Sequence, residues 1–205
     1  MKIKQLLIKS ISLLCFVSLS VSASWQEAAG QVEQSLEQML TKAAIYKGEV
    51  EGNLEPLYKE LDEITNDKVD YEYISKIVMG KYYRQASDSQ KVEFEKVFKR
   101  TLLKTYGKTL VSFNVTKYEL IEPRSESPQA DKQQVVVKVS SDDGQTYSLV
   151  SYMVKADGKW KLVNVVLDGF NLRITFKNQF AELADQNRGN IAKAIAAWSD
   201  IMSKK

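Results

Sequence analysis

The spacing of apolar residues changes twice along this 205-residue chain, and this constrains the fold more than any other feature. Before Ser112 the apolar residues recur at three- and four-residue intervals, as on one face of an α-helix. From Ser112 they alternate and are rich in β-branched types, as in β-strands. After Gly169 the helical interval returns. Helices, then a run of strands, then helices again indicate an α+β fold.

The central part of the chain predicts four strands, near residues 112–121, 133–140, 146–155 and 159–167. Asp143-Gly144 and Asp157-Gly158 are dipeptides typical of tight hairpin turns. Such short connections force consecutive strands to pair antiparallel. We therefore expect an antiparallel sheet of about four strands, with helices before and after it in the chain.

Local signals mark where the helices begin. An amphipathic helix is predicted over residues 25–43, and Pro56 suits the first turn of a short second helix. Asp70 is a suitable N-cap for a helix from Tyr71 to about Arg84. Ser87 and Gln90 have the spacing of a capping box, which opens the most strongly amphipathic helix. Two more helices are predicted after Gly169, over residues 172–183 and 191–198.

The third predicted strand is apolar on both faces. Leu149 and Met153 share one face with Ser151, while Val150 and Tyr152 lie on the other. An antiparallel sheet with one wet face should alternate more cleanly, which predicts cover on both sides. Two interpretations remain open. Helices fill the space against both faces, or one layer stands off and leaves an apolar cavity, the usual form of a small-molecule site.

The first 23 residues have the features of a secretory signal peptide. Three lysines precede an apolar stretch from Ile11 to Leu19, and Val21-Ser22-Ala23 supplies small residues for cleavage. The stretch is too short for a bilayer span, which needs about 20 residues. We expect residues 24–205 to form a single soluble domain after export.

Two absences restrict the chemistry of the exported chain. It has no histidine, and the only cysteine, Cys15, lies within the signal segment. These absences exclude a disulfide framework, a zinc-thiolate site and a Ser-His-Asp triad. We therefore predict a binding protein without a catalytic, metal or cofactor site, rather than an enzyme.

The charge of the exported chain favours a partner other than nucleic acid. The precursor has 29 basic and 26 acidic residues, and the signal segment contains three lysines and no acid, so the two kinds balance after cleavage. Nucleic-acid binding usually requires a basic surface, which a balanced chain does not predict.

The chain also resembles the MlaC or toluene-tolerance family of bacterial periplasmic phospholipid-binding proteins. The N-terminal half of the resemblance consists of Val69-Asp70-Tyr71, the segment 78–84, Ala86-Ser87, Gln90, Phe94, Phe98, Leu102 and Tyr106-Gly107. The C-terminal half consists of Trp160, Asn164-Val165, the segments 169–172 and 176–180, and Gly189. The matches follow in order over nearly all of the exported chain.

The resemblance implies an α+β fold in which a twisted antiparallel sheet of about four strands and N- and C-terminal helices enclose an apolar lipid pocket. It also implies a periplasmic carrier that helps to maintain the lipid asymmetry of the outer membrane. Such a carrier would receive and deliver glycerophospholipid between an outer-membrane lipoprotein complex and an inner-membrane ABC transporter complex with a membrane-anchored substrate-binding subunit. We expect a monomer with no nucleic-acid partner. The alternatives are a carrier of another lipid, such as a hopanoid or sterol-like molecule, and an envelope scaffold that binds no lipid.

Facing arguments and the resemblance together assign the residues that would line the lipid pocket. The helices are expected to contribute Val78, Tyr82, Phe94, Phe98, Leu102 and Tyr106. The sheet is expected to contribute Leu149, Ser151, Met153, Val163 and Val165, and the segment that follows it Phe170 and Phe176.

Overall fold

The computed structural model describes residues 18–48 and 52–203, with side chains described over 23–48 and 52–200. Most of the predicted signal peptide therefore lies outside the described residues. The helices are α1 (Ser18–Ile45), α2 (Glu55–Thr65), α3 (Tyr71–Met79), α4 (Asp88–Ser112), α5 (Leu172–Gln186) and α6 (Ile191–Ser203). The strands are β1 (Val115–Ile121), β2 (Lys132–Ser141), β3 (Thr146–Ala156), β4 (Lys159–Leu167) and β5 (Phe170–Asn171).

The predicted starts of α3 and α4 are confirmed by their capping hydrogen bonds, whereas α1 begins at Ser18, earlier than the predicted residue 25. The Asp70 carboxylate accepts a hydrogen bond of 2.9 Å from the backbone N–H of Tyr73. At the start of α4, the Ser87 hydroxyl accepts from the N–H of Gln90 at 3.2 Å, while Gln90 Oε1 accepts from the N–H of Ser87 at 3.0 Å. Each cap satisfies backbone donors that the first helical turn leaves without a partner.

Helix α3 ends five residues earlier than the predicted Arg84, and a 3₁₀ helix over Gly80–Arg84 follows it. The cause is Gly80, whose φ of 55° lies in the left-handed region that favours glycine. A side chain there would also meet Lys177, since its Cβ would lie 3.3 Å from Lys177 Cε.

The sheet confirms the predicted α+β fold, with one more strand than expected. Its strands lie in the order β1-β2-β3-β4-β5, and each pairs antiparallel with the next. The additional strand, β5, has only two residues and leads directly into α5. Such a short strand carries too little alternation to be recognised in a sequence. Strand β1 begins at Val115 rather than residue 112, because α4 continues to Ser112.

Helix α1 packs across one face of the sheet. Its Ala28 and Ala29 contact a buried set that we call the sheet cluster, made of these two residues with Val135, Val137, Val139, Met153 and Trp160. Polar contacts align the helix: Gln31 Nε2 donates to the carbonyl of Trp160 at 2.8 Å, and Trp25 Nε1 donates to the carbonyl of Gln134 at 3.1 Å. Lys155 and Trp160 both donate to the carboxylate of Glu27, which lowers its pKa.

The helices after α2 have a core of their own. This helical cluster joins α3, α4, α5 and α6, and its largest members with almost no exposed surface are Val78, Met79, Phe94, Phe98, Phe180, Ile195 and Trp198. A smaller set, Ala43, Leu54, Leu57, Leu61 and Val111, connects α1, α2 and α4. The apolar residues thus form separate sets on the helical side and on the sheet.

The two faces of the sheet are covered unequally. In β2, Val135, Val137 and Val139 are buried towards α1, while Gln134 and Lys138 on the opposite face are exposed. In β3, Val150 and Tyr152 on that opposite face are half-buried. On the same face Asn164, opposite Tyr152, is 4% exposed and accepts a hydrogen bond from the backbone N–H of Arg173 in α5. The predicted cover on this side is therefore present at β4 and incomplete at β2.

The helix that begins after Val69 is tied to the edge of the sheet by backbone hydrogen bonds. The N–H of Asp70 donates to the carbonyl oxygen of Leu162 at 3.0 Å, and the N–H of Leu162 donates to the carbonyl oxygen of Lys68 at 2.8 Å. These bonds form a short parallel bridge on the same side of β4 as β5.

No helix in the described part of the chain has the length and hydropathy of a membrane span.

Candidate functional site

The strand register places five of the predicted lining residues of the sheet segment on one face, and one of them, Met153, is buried in the sheet cluster. Ser151 lies opposite Val165, and Leu149 lies opposite Leu167, which in turn lies opposite Phe170. Directly paired residues of an antiparallel sheet project to the same side. Leu149, Ser151, Val165 and Phe170 therefore share the face on which α1 packs. We call this the open face.

Exposure rises across the open face from β2 towards β5. Val137, which lies opposite Leu149, is 2% exposed, and Val135, opposite Ser151, is fully buried. Leu149, Val165 and Leu167 are half-buried, and Phe170 is 73% exposed. Helix α1 thus covers the β2 side of the face, and the apolar surface continues beyond it over β3, β4 and β5. Uncovered apolar surface of this kind marks a site for an apolar ligand or partner.

Ser151 is the small residue in the middle of this surface. It is 7% exposed and stands between the valines Val135 and Val165 on the neighbouring strands. Its hydroxyl makes no hydrogen bond within the described residues. A small side chain at this point leaves more room above the sheet than the larger residues around it.

Most of the predicted lining residues from the helices lie together in the helical cluster, apart from the open face. Val78, Tyr82, Phe94 and Phe98 are buried there, and Leu102 and Phe176 pack at its margin. The rings are in direct contact: the centroids of Phe94 and Phe180 are 4.6 Å apart, and those of Phe98 and Phe176 are 5.5 Å apart. Phe94 and Phe98 have no exposed surface in this conformation, and their contact with a ligand stays a prediction.

Tyr106 differs from the other predicted residues of α4 because it belongs to none of the buried clusters. It is half-buried, and burial raises the pKa of its phenol to about 12. The hydroxyl has no hydrogen-bond partner among the described residues. It is therefore a neutral group at physiological pH that remains able to donate to, or accept from, a bound polar group.

A second region is a cleft of about 610 Å³, which lies where β2 begins. We call it the polar cleft. Its walls come from Trp25, Tyr73, the loop 123–129, residues 132–134 of β2, residues 152–154 of β3, Val163-Asn164 of β4 and Arg173. Its volume falls in the usual range of small-molecule pockets, about 300–1,000 Å³. Met153 and Val163 are the two predicted lining residues that reach it.

Acidic residues adjoin at Asp62-Glu63 and at Asp142-Asp143, and both places make structural contacts. Asp62 forms an ion pair with Lys99, and Asp143 Oδ1 accepts from the N–H of Gln145 at 3.0 Å in the hairpin turn. A hydrogen bond from Ser141 lowers the pKa of Asp143. The described residues contain no group of three or more potential metal-ligating side chains.

Comparison with known proteins adds to this geometry. Residues 33–200 match the family model described as MlaC protein. The chain belongs to the MlaC family. This confirms the resemblance found in the sequence, because the match extends from α1 to the last helix.

Two relatives of this MlaC-family chain are informative. The toluene tolerance protein Ttg2D of Pseudomonas putida is 28% identical over 195 residues, which cover 95% of this chain and 89% of the relative. A phospholipid-binding protein from Ralstonia solanacearum, solved in complex with a phospholipid, is 22% identical, with a TM-score of 0.75. The alignment covers 87% of this chain and 98% of the Ralstonia chain, so the two share a fold.

Sequence reasoning missed the polar cleft of this MlaC-family protein. Its residues come from α1, α3, α5 and three strands, so no local pattern joins them. One signal was present: Asn164 interrupts an otherwise apolar run in β4, and it is only 4% exposed. A buried amide within such a run indicates a polar contact that the strand alone does not explain.

Proposed function

We propose that this protein binds a glycerophospholipid and carries it through the periplasm as a non-enzymatic member of an outer-membrane lipid-asymmetry system. The observation that carries the proposal is the open face. Leu149, Ser151, Val165 and Phe170 lie side by side there and only partly beneath α1. Family membership and the phospholipid in the Ralstonia relative support the same ligand class.

The energetics of transit explain why such a carrier needs a large apolar surface. Two acyl chains have on the order of 30 methylenes, each worth about 0.8 kcal/mol on leaving water, so exposing both would cost about 24 kcal/mol. A carrier must cover most of that surface. The open face supplies part of this cover.

The proposal includes cleavage of the precursor before Ser24. The α1 members of the described clusters, from Trp25 to Ala43, all follow this position, so cleavage leaves them intact. The exported protein would then exchange lipid with an outer-membrane lipoprotein complex and an inner-membrane ABC transporter complex. Intact-mass measurement of protein released by osmotic shock tests the cleavage, and a mass that still includes residues 1–23 would contradict it.

Native mass spectrometry of the exported protein tests the ligand class directly. We expect a co-purifying mass that corresponds to phospholipid. A polycyclic lipid in its place would indicate a carrier of another lipid, and protein without any bound lipid would favour a scaffold.

The open face is tested by Ser151→Phe, with Ser148→Phe as the matched control. Ser148 lies on the same strand but opposite Lys138, on the other side of the sheet. If acyl chains occupy the space above Ser151, the new ring should lower the moles of lipid per mole of protein and leave the delipidated protein as stable as before. Ser148→Phe should leave the lipid content unchanged.

A filled core at Ser151 would give the opposite pair of results. The larger side chain would then overpack the site and cost about 1–3 kcal/mol of unfolding free energy. Unchanged lipid content with a lowered melting temperature would show that the acyl chains bind elsewhere.

A further inference from the structure

The outer edge of β1 is an unpaired strand edge. The sheet order places β1 at one end, and β2 is the one strand that pairs with it among the described residues. The strand has seven residues, of which Thr116, Lys117 and Glu119 are exposed. An edge of this kind presents backbone N–H and C=O groups with which another strand can pair.

Backbone hydrogen bonds show how the groups of β2 alternate. The carbonyl oxygen of Asp131, next to β2, accepts from the N–H of Lys155 in β3 at 2.8 Å. The carbonyl oxygen of Gln134 instead accepts from Trp25 of α1 at 3.1 Å. Odd-numbered residues of β2 thus bond to β3 and even-numbered residues point towards β1, because the two directions alternate along a strand.

The same alternation directs the backbone groups of Tyr118 and Leu120 away from the sheet. Lys117, Glu119 and Ile121 lie opposite even-numbered residues of β2 and therefore bond to it. The residues between them, Tyr118 and Leu120, point their N–H and C=O groups outwards. Within the described part of the chain, no hydrogen bond from outside the sheet reaches these groups. The edge is therefore able to accept another strand.

The side chains of this edge are complementary to a second copy of the same edge. Lys117 and Glu119 are exposed, and neither forms an ion pair within the described residues. If two copies pair antiparallel about Tyr118, Lys117 of each copy lies opposite Glu119 of the other. These are the non-hydrogen-bonded positions, where Cα atoms are about 4.5 Å apart and side chains lie closest. Opposite charges at facing positions stabilise strand pairing.

The open face would stay accessible in such a pair. Its most exposed residue, Phe170, belongs to β5, at the other end of the five-stranded sheet from β1. Pairing through β1 therefore joins two sheets into one and leaves the proposed lipid surface of each copy uncovered.

We propose that two copies of this protein associate through the β1 edges to form a symmetric dimer. The two-fold axis would pass beside Tyr118, where the chains exchange backbone N–H···O=C hydrogen bonds, and two Lys117–Glu119 ion pairs would flank it. The same patch is used on both copies, as is usual in homodimers. The proposal departs from the monomer expected from the family resemblance, and it does not depend on the bound lipid.

Sedimentation equilibrium of the exported protein over a range of concentrations tests the association. We expect a reversible equilibrium between monomer and dimer. Lys117→Glu should weaken it about tenfold, because like charges then face each other twice across the interface. The double variant Lys117→Glu/Glu119→Lys should restore it, since the exchanged charges are again complementary. The control Lys159→Glu makes the same change in net charge at an exposed position of β4, and should leave the equilibrium unchanged.

Amide hydrogen exchange of the unmodified protein locates the interface without any substitution. The outward N–H groups of Tyr118 and Leu120 should exchange more slowly as the dimer fraction rises. The N–H of Glu119, which already bonds to β2, should not change. A dimer that tolerates Lys117→Glu, or that leaves the Tyr118 amide unprotected, overturns the proposal. Protein that stays monomeric at every concentration also overturns it, and would leave the edge to a strand of another protein.

Discussion

Three tyrosines have a pKa of about 12, for different physical reasons. Burial raises the pKa of Tyr71 and of Tyr106. Tyr118 lies near the surface, and its pKa is raised first by its hydrogen bond of 2.5 Å to the carboxylate of Glu37. The Glu37 contact ties α1 to β1. The folded state thus favours the protonated phenol at each of these positions, which makes folding sensitive to alkaline pH.

Tyr71→Phe should reduce the alkaline sensitivity of the fold. A phenol titrates near pH 10 in an unfolded chain and near 12 at Tyr71, so its stabilisation is complete below pH 10 and is lost as the pH rises to 12. At pH 8 the variant should be about 1 kcal/mol less stable, because the hydrogen bond of 2.8 Å to Thr65 is lost. Urea unfolding at pH 8 and pH 11 measures both effects. Equal alkaline slopes for the two proteins would contradict the prediction.

At the scale of elements, the contact between α2 and α4 depends on a glycine. A Cβ built on Gly107 would lie 2.9 Å from two ring carbons of Tyr58 and 3.1 Å from Leu61 Cδ1. Gly107 is buried within α4, where glycine is otherwise unfavourable. The close approach of the two helices explains why glycine stands there. Gly30 of α1 is different, since a Cβ there would meet nothing within 4 Å.

Alanine substitutions at these two glycines should act in opposite directions. Gly107→Ala should destabilise the protein by about 1–3 kcal/mol, because the clash with Tyr58 outweighs the better helix propensity of alanine. Gly30→Ala should stabilise it by about 0.5–1 kcal/mol, since propensity alone changes. Thermal or urea unfolding of both variants measures the difference. An increase in stability at Gly107 equal to that at Gly30 would show that α2 moves aside without cost.

At the scale of the whole molecule, the charges are balanced both in number and in position. Residues 24–205 contain equal numbers of basic and acidic residues. The basic side of α4 is also largely neutralised by neighbouring acids: Lys91 pairs with Asp88, Lys99 with Asp62, and Arg100 and Lys104 with Glu55. Long-range electrostatic attraction should therefore be weak.

Association with the proposed membrane complexes should accordingly depend little on salt. We expect modest changes in the association rate between low and physiological ionic strength, because docking would rely on apolar and local polar contacts. Stopped-flow or surface-based kinetics at several salt concentrations measure this rate. A fall of a hundredfold or more would reveal a concentrated charged patch, and the Lys91–Lys108 side of α4 would then be the first place to mutate.

The sequence by itself determined the features that depend on residues close together in the chain. Asp70 and the Ser87–Gln90 pair predicted where α3 and α4 begin, because capping joins groups within one helical turn. The alternation in β3 placed Leu149, Ser151 and Met153 on one face, since adjacent residues of a strand point in opposite directions. The family motifs extended this reading from the fold to the expected ligand class.

Only the tertiary structure decided how much of that face is covered and what lies beside it. Helix α1 buries Val135 and Val137 but leaves Leu149 and Val165 half-exposed, which depends on where one element packs on another. The polar cleft brings Asn164 and Arg173 together with Trp25 from the other end of the chain. Local hydrogen bonds and backbone sterics follow from neighbouring residues. Cover and cavities arise from contacts between distant segments, and the packing of whole elements creates them.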